Sequence, residues 1–192
     1  MVTSLIQCHF EYASSAWFNS LTQELKHKLQ VTQNKLIRFV LNLHPRSHIG
    51  KEQFLSVNWL PVASRVNQIT LCHVFKINSN LTPFYLSEHF TPVIDVHNYP
   101  TRFRVKAGSN SDHMGYPMLD SKRYAVPIAK GFGKKSFAYN GCSLWNSLPQ
   151  VIRDAKNISS FKFRVKEHFL NLARFLCNIF RLYYFCVLCH NR

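Results

Sequence analysis

Acidic residues are scarce in this chain. Nine Asp and Glu stand among 192 residues, against 24 Lys and Arg, and no two acids are adjacent. Metal-dependent phosphoryl transfer holds its cation on clustered carboxylates, so this scatter argues against such a centre. Glycine is sparse as well, at six residues. Gly131-Phe132-Gly133 lacks the third glycine and the strand-to-helix setting of a phosphate-cradling loop, and reads as a turn. No Ser/His/Asp order suggests nucleophilic catalysis. His9 and His73 fall on apolar helical faces, where a satisfied core histidine is the expected role. A secretory leader is not signalled, because the first residues carry no basic region and His9 and Glu11 interrupt the apolar run. The expected compartment is therefore the cytosol or nucleus, with reduced thiols.

The six cysteines, Cys8, Cys72, Cys142, Cys177, Cys186 and Cys189, have no regular spacing. Cys186-Val187-Leu188-Cys189-His190 has the C-x-x-C-H form of a haem attachment site. The lack of an export signal and of a second axial ligand argues against haem. A Cys3His zinc site with Cys177 would sit on an apolar helix rather than in a small loop fold. These residues are read as small apolar thiols. The surrounding stretch, Phe175 to Cys189, is strongly apolar, but Arg181 is central and Arg174 and Asn178 flank it. A central Arg costs about 2.5–3.5 kcal/mol on insertion, so an amphipathic helix on the protein body or on a membrane surface is expected rather than a span.

Cationic charge is what the chain has in excess. The formal net charge is +15, and 46% of residues are hydrophobic, enough for a real core. Such an excess points to a polyanionic partner. It concentrates between Tyr99 and Tyr139, where Arg102, Arg104, Lys106, Lys122, Arg123, Lys130, Lys134 and Lys135 face only Asp112 and Asp120. Phe103, Tyr124, Phe132 and Phe137 are interleaved with them. Cations neutralise phosphates and aromatic faces stack on unpaired bases, so RNA or DNA bound without base specificity is the expected partner. Lys26, Lys28, Lys35 and Arg38 add a second basic set on an early helix.

The pattern along the chain predicts a mainly α protein with a small irregular β insertion near residues 100–140. Leu5, His9, Ala13, Ala16 and Trp17 share one helical face. Ser20 with Gln23 reads as a capping box for a helix whose inner stripe is Leu25, Leu29, Thr32, Leu36, Phe39 and Leu43, ended by Pro45. Gly50 to Val57 reads as a further turn or two of helix. Asn58-Trp59-Leu60-Pro61 is an aromatic anchor, and Pro61 opens a helix through about Asn78 with Val62, Val66, Ile69, His73 and Ile77 inside. Asn78-Ser79-Asn80 is a turn, and Thr82-Pro83 caps a short helix. Thr101 to Lys106 alternates basic and apolar residues as a strand does, with Arg123 to Ala129 as its partner and Pro127 confining that partner to an edge. Phe137 and Tyr139 alternate, Asn140-Gly141 is a turn dipeptide, and Leu144, Trp145 and Leu148 follow at helical spacing up to Pro149. Trp145 is expected to be buried. Val151 to about Leu188 reads helical throughout, capped by Ser159 or Ser160.

The order of these motifs resembles the C-terminal, post-palm region of the polyprotein of LINE-type (non-LTR), Jockey-like retrotransposons. The residues that carry the resemblance are Leu5-Ile6 with Tyr12 and Trp17, Leu29-Gln30 with Gln33-Asn34 and Arg38, Leu60-Pro61 with Arg65, and Leu81-Thr82-Pro83-Phe84-Tyr85-Leu86. Ser136-Phe137 through Gly141, Leu144-Trp145-Asn146-Ser147-Leu148-Pro149, Arg153 and Phe161-Lys162 complete it. The resemblance implies a parent RNA-directed DNA polymerase (reverse transcriptase) that works through a Tyr-x-Asp-Asp box and Mg²⁺. This sequence holds no such box, so no catalytic residue and no cofactor is implied for the fragment itself. The chain is expected to divide into helices over residues 1–45, which the resemblance makes thumb-like, a helical segment over 46–90, a basic loop/β insertion over 91–140 and a C-terminal helical segment with an apolar tail over 141–192. The expected partners are RNA, DNA or the missing polymerase domain. A membrane surface, reached through the apolar C-terminal helix, is the alternative.

Overall fold

A computed structural model describes residues 6–96 and 122–171. Among them the fold is built of helices. The only β pairing is an isolated antiparallel bridge between Pro92 and Tyr124. The first helical stretch is broken into α1 (Cys8–Glu11) and α2 (Ser14–Trp17), because Ala13 between them takes a left-handed φ of 48°. The expected single opening helix is therefore interrupted, and His9 is exposed rather than in the core.

Helix α3 (Gln23–Val40) starts at Thr22, whose hydroxyl accepts from the Leu25 N–H at 3.4 Å. The cap is thus Thr22 rather than Ser20. The buried stripe of α3 also lies elsewhere than its leucines suggest. Gln33 and Ile37 are buried with Leu29 and Leu36 partly so, whereas Leu25 and Phe39 are exposed. Leu25, Thr32 and Phe39 share the period of a helix face, but the face that packs is the one carrying two glutamines. Helix α4 (Lys51–Ser56) and helix α5 (Val62–Asn78) follow, α5 directly after Pro61.

Three of these helices end in the same way. Asn42, Asn58 and Asn80 take φ of 49°, 58° and 52°. The next residue then donates back five positions: Leu43 N to Arg38 O and Trp59 N to Phe54 O, both 2.9 Å, and Leu81 N to Lys76 O, also 2.9 Å. Each is a Schellman stop with asparagine in the position glycine usually takes. Asn42 therefore ends α3, three residues before the expected Pro45. A left-handed residue with a Cβ costs roughly 1–2 kcal/mol, which Asn partly avoids. Asn42→Gly and Asn80→Gly should leave the urea midpoint unchanged or raised. Asn42→Val and Asn80→Val should each lower stability by about 1–2 kcal/mol.

Contacts divide the protein into two units, and the division falls inside α5, between Thr70 and Leu71. The first unit takes the described residues up to Thr70 and those from Ala155 onward. One of its cores is Ile37, Ile49, Phe54 and Trp59, and a second is Phe18, Val62 and Val66. The start of α5 is held by α3. Gln33 donates to Leu60 O at 2.9 Å, and Gln30 accepts from Val62 N at 3.1 Å and donates to Gln33 Oε1 at 2.9 Å. Arg65 on α5 makes two 2.8 Å bonds to the Glu11 carboxylate. A last helix, α10 (158–171), buries Phe161 and Val165 completely. Its cap is Asn157, whose side chain accepts from Ser160 N at 2.8 Å, rather than Ser159 or Ser160. Lys166 on α10 donates to both the carbonyl and the side chain of Asn58.

The second unit, Leu71–Asp154, contains the second half of α5, the single-turn helices α6 (Phe84–Ser87) and α7 (Val93–Val96), and then α8 (Phe137–Ser147) and α9 (Gln150–Arg153). α8 runs straight through Asn140-Gly141, where the sequence predicts a turn after a short strand. Ser136 caps it by accepting from Tyr139 N at 3.3 Å. Gly141 serves packing instead. A Cβ there would lie 3.0 Å from Val74 Cγ2 and 3.2 Å from the Phe90 ring, so a side chain would require these groups to give by a few tenths of an ångström. Trp145 and Cys142 are completely buried, and the Trp145 ring lies 6.1 Å from that of Tyr124. Pro149 follows the end of α8, and the break at 154–157 separates α9 from α10, so the expected continuous helix from Val151 is interrupted.

Candidate nucleic-acid interface

The side chains of α8 hold a neighbouring stretch of chain at both of its ends. At one end Asn146 accepts from Tyr124 N at 3.0 Å and donates to Tyr124 O at 2.7 Å, so a side-chain amide takes the place of a strand partner. The Trp145 indole donates to Lys122 O at 2.5 Å. Residues 91–93 close the other side of this segment, with Ala125 N donating to Thr91 O at 2.8 Å and Val93 N to Arg123 O at 2.9 Å. At the other end Asn140 donates to Lys134 O and to Ser136 O, both 2.9 Å. Between these anchors runs an exposed loop that closes on a 3₁₀ turn, Gly131–Lys135, where Gly131 takes a φ of 53°.

The loop has no acidic residue, and Lys122, Arg123, Lys130, Lys134 and Lys135 all belong to it or its anchors. Lys130 and Lys134 are exposed, and among the described residues they make no ion pair. Lys135 lies over the Phe132 ring, with Nζ 4.8 Å from the centroid. The cations Lys134 and Lys135 immediately precede the N-terminus of α8, the end where a positive charge does nothing for helix stability. Lys122 is different. Its amino group is bound to Asp154 at 2.6 Å, so its charge is already met within the unit. Arg123 is half-buried. The aromatics expected to interleave with these cations divide sharply: Tyr124 is buried, Phe137 is half-buried, and Phe132 is four-fifths exposed.

Burial sets the proton affinities behind the loop. Desolvation, then the nearby Cys142, pushes the Tyr124 hydroxyl up to about 12, and desolvation pushes the Cys142 thiol up to about 11. Both groups are neutral packing elements at physiological pH. Burial and then Lys76 lower His73, whose ring tilts against Phe137 with centroids 6.2 Å apart.

The basic set on α3, in the other unit, is less available than its sequence suggests. Lys28 pairs with Glu24 at 2.6 Å, Lys26 sits over the Phe18 ring, and Arg38 Nε donates to Ser47 O at 2.8 Å. Lys35 is exposed. The same unit has a cleft of about 250 Å³ lined by Cys8, Glu11, Asn58, Arg65 and Lys166, but Glu11 is matched to Arg65 and Lys166 to Asn58.

Several expected features lie outside the described residues. They are Arg102, Arg104 and Lys106 with their strand, and the tail carrying Cys177, Cys186, Cys189 and Arg181. The proposed partner strand, Arg123 to Ala129, is described. It contributes one bridge residue, Tyr124, paired to Pro92, with Ala125 N bonded to Thr91 O, and then runs as loop from Val126. Within 122–140 the irregular insertion is thus loop, 3₁₀ turn and helix rather than β. Among the described residues no three or more His, Cys, Asp or Glu side chains converge as metal ligands, and no helix is long and apolar enough to cross a membrane. Cys8 and Cys142 are free thiols. Sequence reasoning did not anticipate the two anchoring asparagines, Asn140 and Asn146. Their spacing of six along one helix, flanking Trp145, was the available signal.

No protein-family model, curated protein or solved structure matches this chain.

Proposed function

We propose that this chain is a non-catalytic, post-palm fragment of a LINE-type reverse transcriptase and that it binds RNA or primer–template nucleic acid through charge. The observation that carries the binding part is the acid-free loop 125–135, which is anchored at both ends by α8 and leaves Lys130 and Lys134 exposed. The overall charge of +15 supports it, since phosphate contacts supply most of non-specific affinity. The motif-based resemblance supports the parentage. Two of its elements bond one another here, Gln30 and Gln33 with the Leu60–Val62 backbone, as parts of one framework would.

Filter binding to RNA and single-stranded DNA across a salt series tests the reading. Affinity should fall steeply as salt rises. Replacing Arg102, Arg104, Lys134 and Lys135 together with Ala should flatten the slope of log K against log salt by about 3, from roughly 0.7 per phosphate contact on single strands. Binding that ignores salt, absent binding at low salt, or an unchanged slope in the fourfold variant would each refute it. Primer extension with Mg²⁺ should give no product.

A further inference from the structure

We infer that Phe132 is a stacking platform for an unpaired base, so that the 125–135 loop selects single-stranded over duplex nucleic acid. This rests on the nucleic-acid reading above and adds to it the class of strand. Phe132 is 81% exposed and Ile128 is fully so. The same unit buries Phe75, Phe90, Tyr124 and Trp145 and leaves Phe84 and Tyr85 exposed as well, but those two stand in a segment, 77–96, that carries no Lys or Arg. An aromatic ring left in water forfeits the gain of burying it. The ring is not on a loose tether. Gly131 sets the turn with its left-handed φ, Gly133 N donates to Lys130 O at 3.0 Å, Ser136 N donates to Gly133 O at 3.1 Å, and Asn140 fixes the Lys134 carbonyl.

The surrounding charge fits the same occupant. Lys135 occupies one side of the ring, 4.8 Å from its centroid, and with four-fifths of the residue open the ring has surface left for a planar partner. Lys130 and Lys134, each two residues from Phe132, are placed for the phosphates on either side of a stacked base. Base pairs in a duplex present only their edges, so a single ring on a surface turn engages them poorly, whereas an unstacked base offers its whole face. A strand with a free base and a phosphate on each side is therefore the chemistry that matches a ring between cations.

The test compares the full chain with Phe132→Leu, which keeps an apolar side chain but removes the π face, and Phe132→Trp, which enlarges it. Fluorescence anisotropy uses a labelled oligo-dT strand and a duplex of equal length at the same salt. Phe132→Leu should lose about tenfold or more affinity for the single strand, with duplex affinity unchanged, and Phe132→Trp should retain or improve it. Because the residue is exposed, the thermal midpoint should not move. Equal affinities of Phe132→Leu and the wild type for the single strand would overturn the inference while leaving the charge-based reading in place. So would an equal loss on both probes. Salt-independent binding, or binding of the wild type to neither probe, would overturn both. Binding to phosphatidylserine vesicles that Phe132→Leu abolishes, with oligonucleotide affinity untouched, would assign the loop to a lipid surface and overturn the inference as well.

Discussion

Trp145→Ala is expected to destabilise the Leu71–Asp154 unit by about 3–5 kcal/mol, the range for deleting a large aromatic from a packed core. Trp145 has no exposed surface, and its ring lies 6.1 Å from that of Tyr124, which in turn meets Phe90 edge-on at 5.4 Å. The substitution removes more than volume. It leaves Lys122 O without its indole donor, at the point where the basic loop is joined to α8. Trp145→Phe separates the two contributions. It keeps most of the packing and should cost about 1–3 kcal/mol, chiefly for the lost N–H bond to a carbonyl already withdrawn from water. Urea unfolding followed by far-ultraviolet circular dichroism measures both. A loss below about 1 kcal/mol for Trp145→Ala would show that this ring is not the centre of the unit's core. Loop and core are joined here, so on the proposed nucleic-acid reading Trp145→Ala should also weaken binding, although the indole itself is buried.

The second large effect is expected at Gln33. Gln33→Leu keeps the volume but deletes the donor to Leu60 O and the acceptor for Gln30. Gln33 is 5% exposed, so water does not readily replace either bond, and a cost of about 2–3 kcal/mol follows from stranding a buried carbonyl. Gln30→Leu strips Val62 N of its side-chain acceptor at the head of α5 and should cost about 1–2 kcal/mol. The pair belongs to one network, so the double variant should be less destabilised than the sum of the two. Full additivity would mean that the two amides act independently and that their mutual 2.9 Å bond contributes nothing.

Legibility from the sequence followed the range of the interaction. Where the determinant is a few residues long, composition was enough. The Asn58-Trp59-Leu60-Pro61 punctuation, the extent of α5, the buried Trp59 and Trp145 and the stop at Pro149 are readable because turn chemistry and helical spacing act locally. The mainly α character follows from the same periodicity. Caps were less legible, since Ser20 and Thr22, or Asn157 and Ser159, are chemically equivalent candidates that only the entering backbone can rank.

Packing between distant segments decided the rest. Asn140-Gly141 is a turn dipeptide by every local rule. It lies inside α8, where Val74 and Phe90 close on Gly141 at distances that a side chain would crowd. The buried face of α3 is the glutamine face because a proline-interrupted backbone at Leu60–Val62 needs a donor and an acceptor, which leucines lack. The basic residues looked equivalent in one dimension. Folding meets the charges of Lys122 and Lys28 with Asp154 and Glu24, holds Arg38 on a carbonyl, and leaves Lys130 and Lys134 outward beside an exposed Phe132. Charge content was thus set by composition. Which charges are met was set by helical spacing for Lys28, an i,i+4 partner of Glu24, and by tertiary contact for Lys122 and Arg38.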